Sequence, residues 1–178
     1  NDMSVEPIIY TDYEGMSGDS IYTSEDSLTE FTVNVEEEGF YNLSLEYFPV
    51  AGKNSDIERS IFIDGELPYS ELALVDFYRI WKFDVQTGGQ NENGSVQYLW
   101  EKDNQGNDNK PGMIEAPEWV TSYTYDSEGH ITSPLSVYLT KGEHTISLLS
   151  LKEPMLIHQL ILGKAQQVKT YAEVKAEW

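Results

Sequence analysis

The strongest restriction on the fold of this chain comes from short segments in which apolar and polar side chains alternate. The clearest one follows Gly39, where Tyr41, Leu43, Leu45 and Tyr47 alternate with polar residues. An alternation with a period of two places one face of a β-strand on a core and leaves the other face in water. A helix would instead carry its apolar residues three or four positions apart. The segment therefore predicts a half-buried strand.

Similar segments recur along the chain, with turn residues between them. They predict strands at residues 7–10, 28–35, 40–48, 59–63, 78–83, 96–100, 118–125, 135–139, 144–150 and 155–163. Residues 38–65 and 141–163 each predict two strands in a hairpin-like unit, and the rest of the chain is expected to be organised around these two units. No long helical pattern is present, and short strands at this spacing are typical of an antiparallel β-sandwich.

The chain length and its polar segments suggest one domain with long loops. A chain of 178 residues buries roughly 70% of its unfolded surface when it folds as one domain. Residues 84–94 and 101–112 are polar and predict loops, the second long enough to suggest a role in function. We expect a sandwich domain over residues 1–163, and a linker or the start of a following helix over residues 164–178. Thr170 and Glu173 have the form of a capping box, which predicts a short C-terminal helix with Val168, Tyr171 and Trp178 on its apolar side.

The charge of the chain limits its partners. It has 31 acidic residues against 11 basic ones, a net charge of −20. Such a field repels nucleic acids and anionic lipid, and no stretch approaches the roughly 20 apolar residues of a membrane span. The absence of cysteine does not decide the redox compartment. The sequence begins without an initiator methionine, so we expect a piece of a larger protein in an extracellular or cell-surface setting.

Four segments follow one another in a recognisable order: residues 39–47, 59–65, 139–148 and 156–162. Their order resembles the galactose-binding-like jelly roll of carbohydrate-binding modules of families six and thirty-five. The resemblance implies an all-β jelly roll with an elaborated central insertion, and a bacterial domain that binds carbohydrate. Those families place an aspartate near a structural calcium site in the last strand, where His158 and Gln159 stand here. The middle of the chain is also similar to regions fused to bacterial sugar-importer solute-binding proteins.

Three tryptophans beside the predicted loops are the first candidates for a sugar site: Trp81, Trp100 and Trp119. An exposed indole offers a flat face to the C–H side of a sugar ring, and polar neighbours can bind its hydroxyls. The alternative for each indole is a place in the core. Tyrosines in the strands are secondary candidates, at positions 47, 98 and 123.

Two arginines are the second set of candidates. Arg59 and Arg79 could each present a planar, multiply donating guanidinium to sugar hydroxyls or to a carboxylate. The alternative is an internal ion pair, for example with Glu58 or Asp76.

A calcium ion is the one metal that the sequence suggests. Asp103, Asn107 and Asp108 supply oxygen atoms around a glycine, as calcium-binding loops do. The segment departs from the EF-hand pattern, and the alternative is a solvated loop without a metal. No other cofactor is expected, since the three histidines at 130, 144 and 158 have no metal-binding spacing.

The sequence contains no motif of a known catalytic class. It lacks a cysteine nucleophile, a Gly-x-Ser-x-Gly segment and nucleotide-binding glycine loops. A carboxylate pair for glycoside cleavage cannot be chosen among 31 acids. We therefore predict a non-catalytic carbohydrate-binding module of a larger extracellular protein, with carbohydrate and adjacent domains as its partners. The alternatives are an interaction domain of a solute-binding protein without a sugar site and, last, a glycoside hydrolase or lyase.

Overall fold

The chain divides into two compact units. The computed structural model describes residues 6–90, 92–166 and 175. One unit, the sandwich unit, combines Asn1–Tyr78 with Trp119–Trp178, and the other, the middle unit, is Arg79–Glu118. The predicted helix around Thr170 and Glu173 lies outside the described residues, and the predicted boundary at 163/164 stays a prediction.

The sandwich unit contains two antiparallel sheets. The first has the order β1 (Ile8–Thr11), β2 (Asp19–Thr23), β14 (Met155–Lys164), β4 (Gly39–Pro49) and β11 (Val120–Tyr123), and β12 (Ser136–Leu139) also pairs with β4. The second has the order β3 (Leu28–Val35), β13 (Gly142–Lys152), β5 (Ile57–Ile63) and β6 (Val75–Phe77). The predicted all-β antiparallel class is confirmed. In the described part of the chain, no helix is both long and apolar enough to cross a membrane.

The two predicted hairpin-like units are wrong in their pairing. Strands β4 and β5 are consecutive but belong to different sheets, and so do β13 and β14. Instead β4 pairs with β14, where Leu45 lies opposite Leu160, and β5 pairs with β13, where Ile61 lies opposite Leu148. The alternation of side chains determines which face of a strand is buried, but it does not determine the neighbouring strand. This exchange of partners is the double-sheet arrangement of a jelly roll.

The core of the sandwich unit lies between the two sheets. The alternating residues of β4 are buried as predicted, and so are apolar residues of the opposite sheet, among them Ile57, Ile61, Ile146 and Leu148. Tyr47 of β4 connects the sheets, because its ring lies 5.3 Å from that of Phe77 in β6. Each such side chain contributes about 1.5–3 kcal/mol when it is fully buried.

A buried carboxylate holds one loop of the sandwich unit. Glu153 lies between β13 and β14 with a φ of 62° and is 0% exposed. Its two carboxylate oxygens accept hydrogen bonds from the backbone N–H of Lys53 at 2.9 and 2.8 Å, and from the Ser55 hydroxyl at 2.9 Å. These hydrogen bonds compensate for the contacts with water that the carboxylate loses on burial. They fix the loop that follows β4.

The middle unit contains two small antiparallel ladders. Strand β7 (Trp81–Phe83) pairs with β10 (Met113–Glu115), and β8 (Gln86–Gln90) pairs with β9 (Val96–Leu99). The predicted strand at 78–83 is thus shorter, and part of the predicted loop 84–94 is a strand. Strand β8 carries glycine and polar residues and no apolar alternation, so its residues show no pattern that would predict a strand. Strands β2, β6 and β10 were not predicted either.

Candidate functional site: a cleft beside Trp100

The middle unit contains a cleft between the ends of its two ladders. The Asp84 N–H donates to the Gly112 carbonyl at 2.8 Å on one side, and the Asn109 N–H donates to the Glu101 carbonyl at 2.8 Å on the other. The cleft has a volume of about 740 Å³ and is lined by Asp84, Val85, Leu99, Trp100, Glu101, Asn109, Lys110, Pro111 and Gly112. This volume is within the range of sites that hold small ligands.

An exposed indole forms part of the cleft wall. Trp100 follows β9 directly, and 43% of its surface is exposed. The ring of Phe83 lies 6.4 Å from the indole, tilted by 55°, and 6.4 Å from the ring of Tyr98 in an edge-on arrangement. Phe83 therefore packs beside the indole, and a large part of the indole stays accessible. Such a ring can stack on the C–H face of a sugar.

The polar side chains of the cleft are available to a ligand. In the described part of the chain, Asp84, Glu101 and Lys110 form no ion pair and no side-chain hydrogen bond. Lys102, outside the cleft, is paired with Asp108 at 2.7 Å. The carboxylates can accept hydrogen bonds from hydroxyl groups, and the ammonium can donate them. The cleft thus combines one aromatic platform with both kinds of polar group.

The other two tryptophans lie elsewhere. Trp81 of β7 is 38% exposed, but it is not among the residues that line the cleft. Trp119 belongs to the sandwich unit, where its Nε1–H donates to the Tyr13 carbonyl at 3.1 Å. Its ring lies 5.4 Å from Phe48 and 5.9 Å from His158. Trp119 is therefore a packing residue, and the structure brings only Trp100 to the cleft.

The two candidate arginines are buried, which corrects their predicted role as sugar ligands. Arg79 forms an ion pair with Glu115 rather than with the expected acids, and its side chain is fully buried. Arg59 is 0% exposed. It donates to the carbonyls of Glu58 and Lys152 at 2.8 and 2.9 Å, and to the Thr23 hydroxyl at 3.0 Å. Burial lowers the pKa of Arg59 to about 10.

The candidate calcium ligands bind each other or a lysine. One carboxylate oxygen of Asp103 accepts from the N–H groups of Gln105 and Asn107 at 2.8 Å, and the other accepts from the Asn107 side chain at 2.9 Å. The bond from the Asn107 side chain is the main reason that the pKa of Asp103 is lowered. Asp108 pairs with Lys102. The described residues hold no group of three or more His, Cys, Asp or Glu side chains that could bind a metal ion, and the calcium site at Asp103, Asn107 and Asp108 stays a prediction.

Four polar residues of the cleft were not predicted: Asp84, Glu101, Asn109 and Lys110. They lie at the ends of the two polar segments, 84–94 and 101–112, and the length of the second segment did suggest a role. The sequence alone does not show that these ends meet, because that depends on the pairing of four short strands.

Comparisons with known proteins agree with this fold. No family model matches the sequence, and no curated protein matches it either. A solved structure of a family 35 carbohydrate-binding module from Clostridium thermocellum matches with 14% identity and a TM-score of 0.50, over 90% of this chain and 90% of that one. The fold resembles that of a family 35 carbohydrate-binding module. The resemblance predicted from the sequence is confirmed at the level of the fold.

Two more solved structures match with lower TM-scores. A xylan-binding domain of the CBM22 type from Paenibacillus barcinonensis has 12% identity and a TM-score of 0.39, over 90% of this chain and 83% of that one. The catalytic domain of a GH87 alpha-1,3-glucanase in complex with nigerose has 16% identity and a TM-score of 0.45. This chain is covered to 94% in that match, and the glucanase to 28%.

Proposed function

We propose that this chain is a carbohydrate-binding domain that holds a sugar in the Trp100 cleft without cleaving it. The observation that carries this proposal is an exposed indole in a cleft of suitable volume, beside polar side chains that have no partner in the described part of the chain. The likeness to a family 35 carbohydrate-binding module supports the scaffold of such a domain.

In the proposed mode of binding, the indole and the polar groups have separate tasks. The C–H face of one sugar ring stacks on Trp100. Asp84 and Glu101 accept hydrogen bonds from hydroxyl groups, and Lys110 donates them. A single stacked ring contributes about 1–3 kcal/mol in the comparable case of bases on aromatic residues. The affinity of one such cleft is therefore modest.

The proposed setting is a larger extracellular or cell-surface protein of a bacterium. The net charge of −20 is consistent with a carbohydrate partner and unfavourable for nucleic acid. A link to solute-binding proteins of sugar importers, and contacts with adjacent domains, are further parts of this proposal.

The test compares two tryptophans of the same unit. Trp100→Ala removes the indole of the cleft, whereas Trp81→Ala removes an indole of similar exposure outside it. A glycan array identifies a bound sugar, and calorimetry then measures its affinity for each variant. We expect Trp100→Ala to weaken binding by about 5- to 150-fold, which corresponds to the loss of one stacked ring, and Trp81→Ala to leave it unchanged.

Two results would contradict the proposal. The cleft is not the site if both variants bind the sugar as well as the unchanged protein. The domain is not a passive binder if the sugar recovered after incubation is shortened, since Asp84 and Glu101 are both carboxylates. Chromatography of the recovered oligosaccharide distinguishes these cases.

A second candidate function, an interaction domain, has one observation in its favour. Phe40 of β4 and Tyr138 of β12 lie opposite each other in the sheet, 55% and 53% exposed, with ring centroids 5.3 Å apart. Exposed aromatic groups of this kind occur on protein-binding surfaces. If Phe40→Ser with Tyr138→Ser abolishes binding to a solute-binding protein while no glycan binds the array, this second function replaces the first.

A further inference from the structure

We infer that the Trp100 cleft prefers a sugar that carries a positive charge, namely an amino sugar with a free ammonium group. This inference rests on the proposed function and names the class of sugar that the same cleft takes. It follows from three features of the cleft: its two carboxylates, its indole and the charge around it.

The two carboxylates come from different segments that meet at the cleft. Asp84 follows β7, and Glu101 follows Trp100 after β9. Both are exposed, and neither has a partner for its carboxylate in the described part of the chain. A carboxylate only accepts hydrogen bonds, and an ammonium only donates them. A bond between them is about twice as strong as one between neutral groups.

The indole adds a second attraction for a cation. A cation near the face of an aromatic ring is attracted by the negative charge of that face, and tryptophan is the strongest of the three aromatic residues in this respect. Trp100 lines the same cleft as both carboxylates. An ammonium on the stacked sugar can therefore contact a carboxylate and remain near the ring.

The surrounding charge favours a cation over an anion. The middle unit contains seven acidic and four basic residues, and the whole chain has a net charge of −20. This potential concentrates cations near the cleft and depletes anions. Lys110 is the single basic residue among those that line the cleft, against two acids. A sugar carboxylate would meet one favourable charge and two unfavourable ones.

The experiment compares two oligosaccharides of the same backbone and length, of which one carries ammonium groups and the other carries neutral acetamido groups. One is a fully deacetylated glucosamine oligomer and the other is its N-acetylated form of the same length, both measured by calorimetry at low and high salt. We expect the glucosamine oligomer to bind about tenfold more tightly at low salt, which corresponds to one charge-assisted hydrogen bond. We expect the difference to decrease at high salt.

Variants separate the cleft from the general charge of the protein. Asp84→Asn with Glu101→Gln keeps the shape of both side chains and removes both charges, and we expect it to lose the preference, so that the two oligomers bind with equal affinity. Glu38→Gln with Glu143→Gln removes the same charge from two exposed sites of the sandwich unit and should keep the preference. Circular dichroism verifies that both double variants are folded.

The outcomes distinguish this inference from the proposed function. Equal binding of the two oligomers, or an equal loss of preference in both double variants, overturns the inference and leaves the proposed function standing. If neither oligomer binds, the inference fails, and the array with Trp100→Ala decides the proposed function separately. A preference that disappears only in Asp84→Asn with Glu101→Gln confirms it.

Discussion

The two units of the molecule use their apolar residues in opposite ways. In the sandwich unit, the apolar residues of β4, β5, β13 and β14 alternate into a core, and many are less than 2% exposed. In the middle unit, no apolar side chain that the structure describes is buried, and the buried residue there is Arg79. Its aromatic residues remain 37% to 52% exposed.

Packing in a core explains the buried aromatic residues of the sandwich unit, but it does not explain the exposed ones of the middle unit. A unit of about 40 residues is at the lower limit for forming a core of its own. Its exposed rings gain little from burial, and exposed apolar groups of this kind are typical of binding surfaces. The sandwich unit explains how the chain folds, and the middle unit is the place to look for what it binds.

The largest expected effect compares a truncation in each unit. Ile146→Ala removes a fully buried side chain of β13 and should lower the free energy of unfolding by about 2–5 kcal/mol. Phe83→Ala in the middle unit should cost less than about 1 kcal/mol, since the ring is already exposed. Urea denaturation measures both. Equal losses would mean that the middle unit has a core after all.

The next effect distinguishes Trp119 from Trp100. Trp119→Ala removes two ring contacts and a hydrogen bond in the sandwich unit, so we expect a loss of roughly 2 kcal/mol in stability. Trp100→Ala should change stability by less than about 0.5 kcal/mol and reduce sugar binding instead. Thermal unfolding and calorimetry on both variants test this exchange of roles. A binding defect in Trp119→Ala with normal stability would contradict it.

A smaller effect depends on pH and belongs to the sandwich unit. His144 Nδ1 lies 2.7 Å from a carboxylate oxygen of Asp64, and this bond is the main cause that raises the pKa of His144 and lowers the pKa of Asp64. The histidine contributes stability below its unfolded pKa, and this contribution is lost as the pH rises through its folded pKa. The aspartate contributes above its unfolded pKa, and this is lost as the pH falls through its folded pKa. The contribution of the pair to stability is therefore largest between about pH 4 and 6.5.

The measurement compares the unchanged protein with His144→Gln in urea. We expect the variant to be less stable by at most about 1 kcal/mol near pH 5, because Asp64 is half exposed, and the difference to shrink near pH 9 as the histidine loses its charge. The control is Lys102→Met, which breaks an exposed ion pair of the middle unit and should change little at either pH. A deficit in His144→Gln that is the same at both pH values would contradict the role of the charge.

The smallest expected effect concerns calcium. The oxygens of Asp103 already accept hydrogen bonds from its own loop, so calcium should not raise the melting temperature, and a chelator should not lower it. An ion that binds only the folded state would shift the melting temperature in proportion to its affinity. A calcium-dependent rise that Asp103→Asn removes would show that the loop does bind the ion.

The sequence predicts the sandwich unit well because its strands are long enough for the alternation of apolar and polar residues to repeat. The alternation in β4 identifies the buried residues, and they are buried in the structure. The same alternation also indicates the position of Arg59. It lies two residues from both Ile57 and Ile61, on the same face of β5, and it is buried with them. The pairing of strands was not predictable, since the same alternation is compatible with several neighbours.

The sequence predicts the middle unit less well for a physical reason. Its strands have three to five residues, too few to show a period. Their positions depend on contacts such as that between the Asp84 N–H and the Gly112 carbonyl, which join residues far apart in the chain. Trp100 was one of three candidate indoles in the sequence, and the structure shows it exposed, but its four polar neighbours in the cleft required the pairing of the ladders.

The exchange of strands between the sheets has a consequence for how the chain folds. Tyr41 pairs with Lys164, and Pro49 pairs with Met155, so the central ladder closes a loop that contains the whole middle unit. Contacts between such distant residues make folding slow, in the range of milliseconds to seconds for sandwiches of this type. The entropy of closure grows only with the logarithm of loop length, about 0.6 kcal/mol for each doubling. The sandwich can therefore accept a middle unit of different length or sequence at little thermodynamic cost, and the exposed surface of the middle unit can change while the scaffold stays the same.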